Sequence, residues 1–442
     1  MAGIQTEARM PARPLRGPAP RSQDNLHRIG LGSPGPFARR WAGVRRGVRA
    51  VVLALCCALL AACGTRAGTE DVWAEPQLAT PPHYRIGDGD PRGASLVRAA
   101  REWVELGTVP GEGTEWESMS RWALIDLHQA MGGLDSGRAP AAGAADRWDY
   151  FWPRDGAFIA LALDRTGHAA EARAVIDFIA RLPFDAQQGF DARYLLNGQR
   201  VVVDPRGPQS DGCGWVLWAI GSMSDAALPE SAGPLRSTCL MNVLRLTSSG
   251  WLLPPPSPDY WEIPVGQTSL GTVAPMLAGL RATADHGPAA ERWVAGQAAK
   301  RLESRVHESM GPSLERFGDR GGLDAAVAML MPPFGPEDER TTKRWLAYQR
   351  DAARSSGGLA PGADWKQDGT SWTPETALVA YTAAASGRER TAERWLGWLD
   401  GHRTPWGSLP EKVNRSGSPA GPAPLLWTAA LVLLTLDELD RP

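Results

Sequence analysis

The sequence predicts an all-α fold, a double-layered helical barrel, on three observations. About a dozen segments repeat apolar residues at i, i+3, i+4 spacing, strand signals are scarce, and some segments are apolar nearly all round. A helix apolar on every side must be covered on every side, which suits an inner ring enclosed by an outer one. A helical bundle or solenoid also fits the count, but no fixed-period repeat is visible, which weakens the solenoid. The 442 residues, 43% of them hydrophobic, can supply a sizeable core.

The chain opens with an Arg-, Pro- and Gly-rich stretch over 1–43 that lacks apolar periodicity. It is longer than the basic region of an export signal, so we expect translation to begin near Val44 or Val48. Arg45, Arg46 and Arg49 precede an apolar run over 50–62 that ends Leu60-Ala61-Ala62-Cys63. A basic stretch, a short apolar stretch and small residues before a cleavage point are the parts of a secretory signal. The run is shorter than the ~20 residues a membrane-spanning helix needs. Its ending resembles the bacterial lipobox, which implies lipidation of Cys63 and an extracytoplasmic protein tethered to the membrane. Residues 1–63 are therefore expected to be extension and signal, 64–92 a surface tether, and 93–442 a single folded domain.

Within that domain the pattern predicts helices over 95–106, 116–131, 156–166, 169–182, 212–223, 234–246, 268–284, 288–306, 322–331, 337–354, 374–385, 390–400 and 424–439. The best strand signal is 200–203, one edge of a small hairpin. The connections 184–209 and 251–267 are long for plain linkers, and long loops on a rigid scaffold often carry binding groups.

The formal charge of -2 gives no basic footprint, so nucleic acid is not an expected partner. The seven His show no metal-binding spacing, and no G-x-S-x-G elbow or phosphate-cradling glycine loop is present. Neither a metal nor an organic cofactor is expected. Once the signal and Cys63 are set aside, Cys213 and Cys239 remain. The spacing leaves open a disulfide or two buried thiols. Tryptophan is the compositional outlier, 19 against 8 Phe and 6 Tyr. Core filling accounts for some of them. A flat ring with an N–H at its edge also suits a sugar.

Three segments place charged groups among rings and prolines. In Trp152-Pro153-Arg154-Asp155 a guanidinium fork adjoins a carboxylate, the donor and acceptor set that vicinal hydroxyls require. A helix cap with a local ion pair is the plainer reading. In Asp259-Tyr260-Trp261-Glu262-Ile263, Glu262 has Tyr260, Trp261 and Ile263 as neighbours. A carboxyl held against apolar surface resists ionisation, as a general acid must. Capping of the next helix is the alternative. In Leu409-Pro410-Glu411-Lys412, Glu411 precedes the last helix, and a solvated pair with Lys412 explains it as simply.

Taken in order, these strings resemble the catalytic domain of glycoside hydrolase family 15, which includes glucoamylases, glucodextranases and some trehalases. The resemblance covers about 118–439. Trp152-Pro153-Arg154-Asp155 looks like the family's sugar-gripping Trp-x-Arg-Asp, and Gln209-Ser210-Asp211-Gly212 like its cleft-lining Gln-x-Asp-Gly. Trp261-Glu262 resembles the acid loop, and Leu409-Pro410-Glu411 with Gly421 and Leu425-Leu426-Trp427 the base loop and last inner helix. Gly322-Leu323-Asp324-Ala325 and Trp372 fall where related bacterial members have similar strings. The resemblance implies a single-domain (α/α)6 barrel, with Glu262 as general acid and Glu411 as general base of an inverting, exo-acting α-glucosidase. It places Trp152, Arg154, Asp155, Asp211, Asp259, Trp261 and Trp372 around the oligosaccharide. The family's second acid-loop Glu is Ile263 here, which bears on substrate preference. No β-sandwich precedes the barrel and no starch-binding module follows it, so action on raw starch is not expected. The rival readings are a trehalase, a non-catalytic sugar-binding lipoprotein on the same fold, and another helical-barrel hydrolase or lyase.

Overall fold

The computed structural model describes residues 91–132, 140, 142–143, 148–202, 204–248 and 253–441. The predicted signal, Cys63 and nearly all of the tether lie outside them. Twelve α-helices account for most of the described chain: α1 (Pro91–Val104), α2 (Glu117–Met131), α3 (Pro153–Arg165), α4 (Ala169–Arg181), α5 (Gly212–Ser222) and α6 (Ala232–Ser248), then α7 (Leu270–His286), α8 (Ala289–Ser309), α9 (Glu339–Asp351), α10 (Thr373–Ala385), α11 (Glu389–Asp400) and α12 (Leu426–Leu439).

Side-chain pattern decides which layer each helix joins. In α5 every residue from Gly212 to Ile220 is buried, and in α12 every residue from Leu426 to Leu436. By contrast α11 buries only Ala392, Trp395, Leu396 and Leu399, a single stripe at helical spacing. The contacts close an inner ring in the order α3, α5, α7, a 3-10 segment Ala325–Leu330, α10, α12 and back to α3. Outside it, α2 packs on α12, α4 on α3, α6 on α5, α8 on α7, α9 on the 3-10 segment and α11 on α10. This is a ring of six inside a ring of six. Glycine sets the closest approach: a Cβ on Gly214 of α5 would lie 2.4 Å from the Pro275 carbonyl of α7, so only hydrogen fits.

Two sequence expectations are corrected. The helix expected over 322–331 is the six-residue 3-10 segment, capped by Asp324 accepting from the Ala326 N–H at 2.8 Å. Pro332 and Pro333 forbid its continuation. Over 200–202, the described part of 200–203, Arg200 bridges Tyr194 but forms no strand. The sheet lies elsewhere: Ser371–Trp372, Lys412–Val413 and Pro419–Ala420 pair antiparallel, with Trp372 opposite Lys412.

Near the axis Phe158, Trp215, Trp218 and Phe334 pack with ring centroids 4.9–6.2 Å apart. Part of the tryptophan excess is therefore core. Cys213 of α5 and Cys239 of α6 are buried thiols with Sγ atoms 2.6 Å apart. Among the described residues no helix is long and apolar enough to cross a membrane.

Candidate active site

The inner helices α3, α10 and α12 begin around one recess of about 180 Å³. Trp152, Arg154 and Asp155 line it from the start of α3, Trp372 and Glu375 from the start of α10, and Trp427 from α12. The loop around Glu262, the expected acid loop, contributes Trp261 and Glu262, and the loop around Glu411, the expected base loop, contributes Glu411 and Lys412.

Each wall has a local cause. Trp152 is extended and Pro153 opens α3, which turns the first-turn Arg154 and Asp155 inward. Their side chains pair at 3.0 Å, and the Arg154 guanidinium lies 4.7 Å from the centre of the Trp427 ring. Arg154 Nη1 is buried without a hydrogen-bond partner, a donor left for a ligand. Burial pushes the Asp155 carboxyl up while Arg154 pulls it down.

The acid loop is clamped from behind. Asp259 accepts from Arg316 Nη2 at 2.7 Å, the Ser269 hydroxyl at 2.6 Å and the Trp261 N–H at 3.0 Å. Arg316 also reaches Asp324 at 3.1 Å, and Asp324 accepts from the Tyr260 hydroxyl. The guanidinium of Arg316 sits 3.5 Å from the centre of the Trp261 ring. Over this platform the chain turns, with Glu262 N–H donating to the Asp259 carbonyl at 2.8 Å. Glu262 takes a φ of 59°, which a side-chain-bearing residue adopts only when its surroundings enforce it.

Glu262 departs from its sequence expectation in one respect. Its carboxylate is not held against apolar surface. Oε1 accepts from Trp152 Nε1 and Gln209 Nε2, both at 3.1 Å, with Arg154 Nη1 at 3.7 Å. Oε2 is paired with Arg206. Ile263, its neighbour, is 39% exposed.

The low-polarity setting belongs to Glu411. Burial raises its carboxyl above the ordinary range; Lys412, at 2.9 Å, lowers it, and the charge of Glu262 raises it. A Trp148 hydrogen bond also favours its charged form. The loop is held by Glu411 N–H donating to the Pro422 carbonyl at 2.8 Å and Thr373 N–H donating to the Glu411 carbonyl at 3.0 Å. Gly421, at φ 75°, faces the carboxylate, and a Cβ there would lie 2.7 Å from Oε2.

The structure thus gathers Trp152, Arg154, Asp155, Trp261, Glu262, Trp372 and Glu411 in one place. It leaves two expected sugar ligands out. Asp211 is 1% exposed and does not line the recess. Burial pushes it up to about 7 against the pull of Arg154, and the residue of its string that reaches the acid loop is Gln209. Asp259 is fully buried and spends its oxygens on Arg316, Ser269 and Trp261. It supports the loop and does not line the recess. Cys63 lies outside the described residues.

Sequence reasoning missed Arg206, Trp365 and Glu375, which also line the recess. Trp365 packs edge-on between Trp261 and Trp372, at 4.6 and 5.8 Å between centroids. Arg206 belongs to the long connection flagged as a binding loop, but a single loop Arg has no spacing signature. Glu375, in the first turn of α10, looks like any acid at a helix start. Among the described residues no cluster of ligating side chains is arranged to hold a metal.

No family model matches the sequence, and no curated protein matches it. Solved structures do. A glycosidase aligns with TM-score 0.62 at 22% identity, covering 73% of this chain and 96% of its own, and a variant of it in complex with glucose aligns equally well. The glucoamylase of Saccharomycopsis fibuligera aligns with TM-score 0.58 at 15% identity, covering 83% of this chain and 99% of its own. A bacterial glucoamylase complexed with acarbose aligns with TM-score 0.62 at 12% identity, covering 80% of this chain and 59% of its own. The double ring is therefore the (α/α)6 barrel of these glucoamylase-like structures.

Proposed function

We propose that the chain is an inverting, exo-acting α-glucoside hydrolase, releasing β-glucose from the non-reducing ends of α-1,4- or α-1,6-linked gluco-oligosaccharides. One observation carries this reading: Glu262 and Glu411, from loops far apart in sequence, line a single recess together with the Arg154–Asp155 pair. The barrel is shared with proteins named glycosidase and glucoamylase, two of them bound to glucose or acarbose, and that analogy supports a sugar as the occupant.

In this mechanism Glu262 protonates the glycosidic oxygen while Glu411 takes a proton from the water that attacks the anomeric carbon from the opposite face. Inverting enzymes keep the two carboxyls roughly 6.5–9.5 Å apart to admit that water. Arg154 and Asp155 hold hydroxyls of the terminal glucose. The row Trp261, Trp365 and Trp372 offers apolar faces and edges to the rings of the leaving sugar. Arg206 pairs with Glu262 Oε2. The incoming substrate displaces it, which frees that oxygen to meet the glycosidic bond.

The test is hydrolysis of maltotriose, isomaltose and trehalose by the purified chain, with Glu262→Gln and Glu411→Gln alongside. We expect glucose from the first two, and a loss of about 10²–10⁴-fold in kcat for each variant. Preference for trehalose would make the chain a trehalase. Sugar binding without turnover would make it a non-catalytic receptor.

We also propose export and lipid anchoring through Cys63, supported by the basic and apolar runs ahead of it. Cys63→Ala should move the protein from the membrane fraction to the soluble one. Continued membrane retention of that variant would refute the anchor.

A further inference from the structure

A fourth carboxyl faces the recess, and the mechanism above gives it no task. Glu375 is 3% exposed, lines the cavity with Glu411, and its Oε2 has no hydrogen-bond partner. A buried polar atom left unpaired is costly. On a wall that faces a ligand space, that cost is recovered when a ligand supplies the missing bond.

The charged and titratable groups facing Glu375 come from several neighbouring elements. They are Glu411 of the base loop, Asp324 ahead of the 3-10 segment, Arg154 of α3 and the Tyr348 hydroxyl of α9. Burial, then Glu411 and Asp324, push its carboxyl up to about 8, with Arg154 pulling the other way. Near neutral pH it is a neutral acid, one O–H donor with acceptor capacity to spare. A sugar hydroxyl is likewise donor and acceptor at once, so the two are complementary without any charge.

We infer that Glu375 is a sugar-binding residue, its Oε2 meeting a hydroxyl of the glycosyl unit held in the recess. The inference rests on the glycosidase reading of that recess and adds a contact to it. As a neutral acid Glu375 donates to the hydroxyl and adds no negative charge beside Glu411. When pH rises through about 8 the donor is lost and a like charge appears next to Glu411, so sugar binding weakens.

The experiment is calorimetric titration of the full chain with D-glucose at pH 6 and pH 9, for the wild type, Glu375→Gln and Glu375→Ala. Glucose is not turned over, so affinity is read apart from catalysis. We expect wild-type affinity to fall about 5- to 10-fold between the two pH values. Glu375→Gln keeps size, neutrality and a donor, and should bind within about 3-fold of wild type at pH 6 with most of the pH dependence gone. Glu375→Ala should bind about 10-fold more weakly at both. Equal pH dependence in wild type and Glu375→Gln, or wild-type affinity in Glu375→Ala, would overturn this inference alone. No glucose binding by any form would overturn it together with the glycosidase reading.

Discussion

Lys412 holds its ammonium 2.9 Å from Glu411 and 4.2 Å from the centre of the Trp372 ring, and this contact works against burial in the titration of the proposed base. A general base works only when ionised. Burial raises the Glu411 carboxyl, so activity should rise with pH through a value above the ordinary carboxylate range. Lys412 opposes that rise. In Lys412→Met the acidic limb of kcat should move to higher pH while kcat on the plateau changes little, as pH–rate profiles on maltotriose would show. A limb that stays put or moves down would remove Lys412 from this role. At this scale the sequence was readable where a residue sat in a string of several informative neighbours, as Arg154, Asp155, Glu262 and Glu411 did. It was unreadable where burial alone decides the role. Asp211 and Asp259 look like ligands in sequence because both are acids beside the right loops. Only the three-dimensional packing shows that Asp259 is consumed by Arg316 and that Asp211 lies behind the wall. The same blindness hid Arg206 and Glu375.

Among the elements, the helices were legible because their periodicity is local: most observed ends fall within two or three residues of those expected. The 3-10 segment was not, because Ala325–Leu330 is apolar enough to pass for a helix while Asp324 ahead of it is committed to a tertiary network. The small sheet was missed since each strand has two residues, too few to show alternation, and exists to tie Trp372 to the base loop. The acid loop depends on the buried trio Asp259, Arg316 and Asp324 in the same manner. Arg316→Met would leave two buried carboxylates without their cation. Breaking a buried pair typically costs about 3–5 kcal/mol. We expect a lowered urea midpoint and a steep loss of kcat in that variant, because the platform under Trp261 and Glu262 goes with it. Wild-type stability would show that the network is incidental.

For the molecule as a whole, ring closure was the least legible feature, since which helix lies inside is a matter of packing partners. That closure buries several acids. Asp126 of α2 is pushed up to about 8 and Glu375 to about 8, with Asp211 at about 7, in each case chiefly by burial. Folded-state values above the unfolded ones mean that the native protein holds these protons longer. Their stabilising contribution is complete below about pH 4, where both states are protonated. It is lost as pH rises through 7 to 8, where the unfolded chain has already ionised. Tm should therefore fall between pH 5 and pH 8.5. Asp126→Asn, which keeps an acceptor for the Ser408 hydroxyl at 3.0 Å, should flatten that slope. A Tm that climbs with pH over this range would contradict the assignment. The central claim is chemical: one recess, two glutamates, and a water between them. Proton NMR of the first minutes of maltotriose hydrolysis tests it directly. The account predicts β-glucose first, with the α-anomer growing in only as mutarotation proceeds; α-glucose as the first product would contradict it.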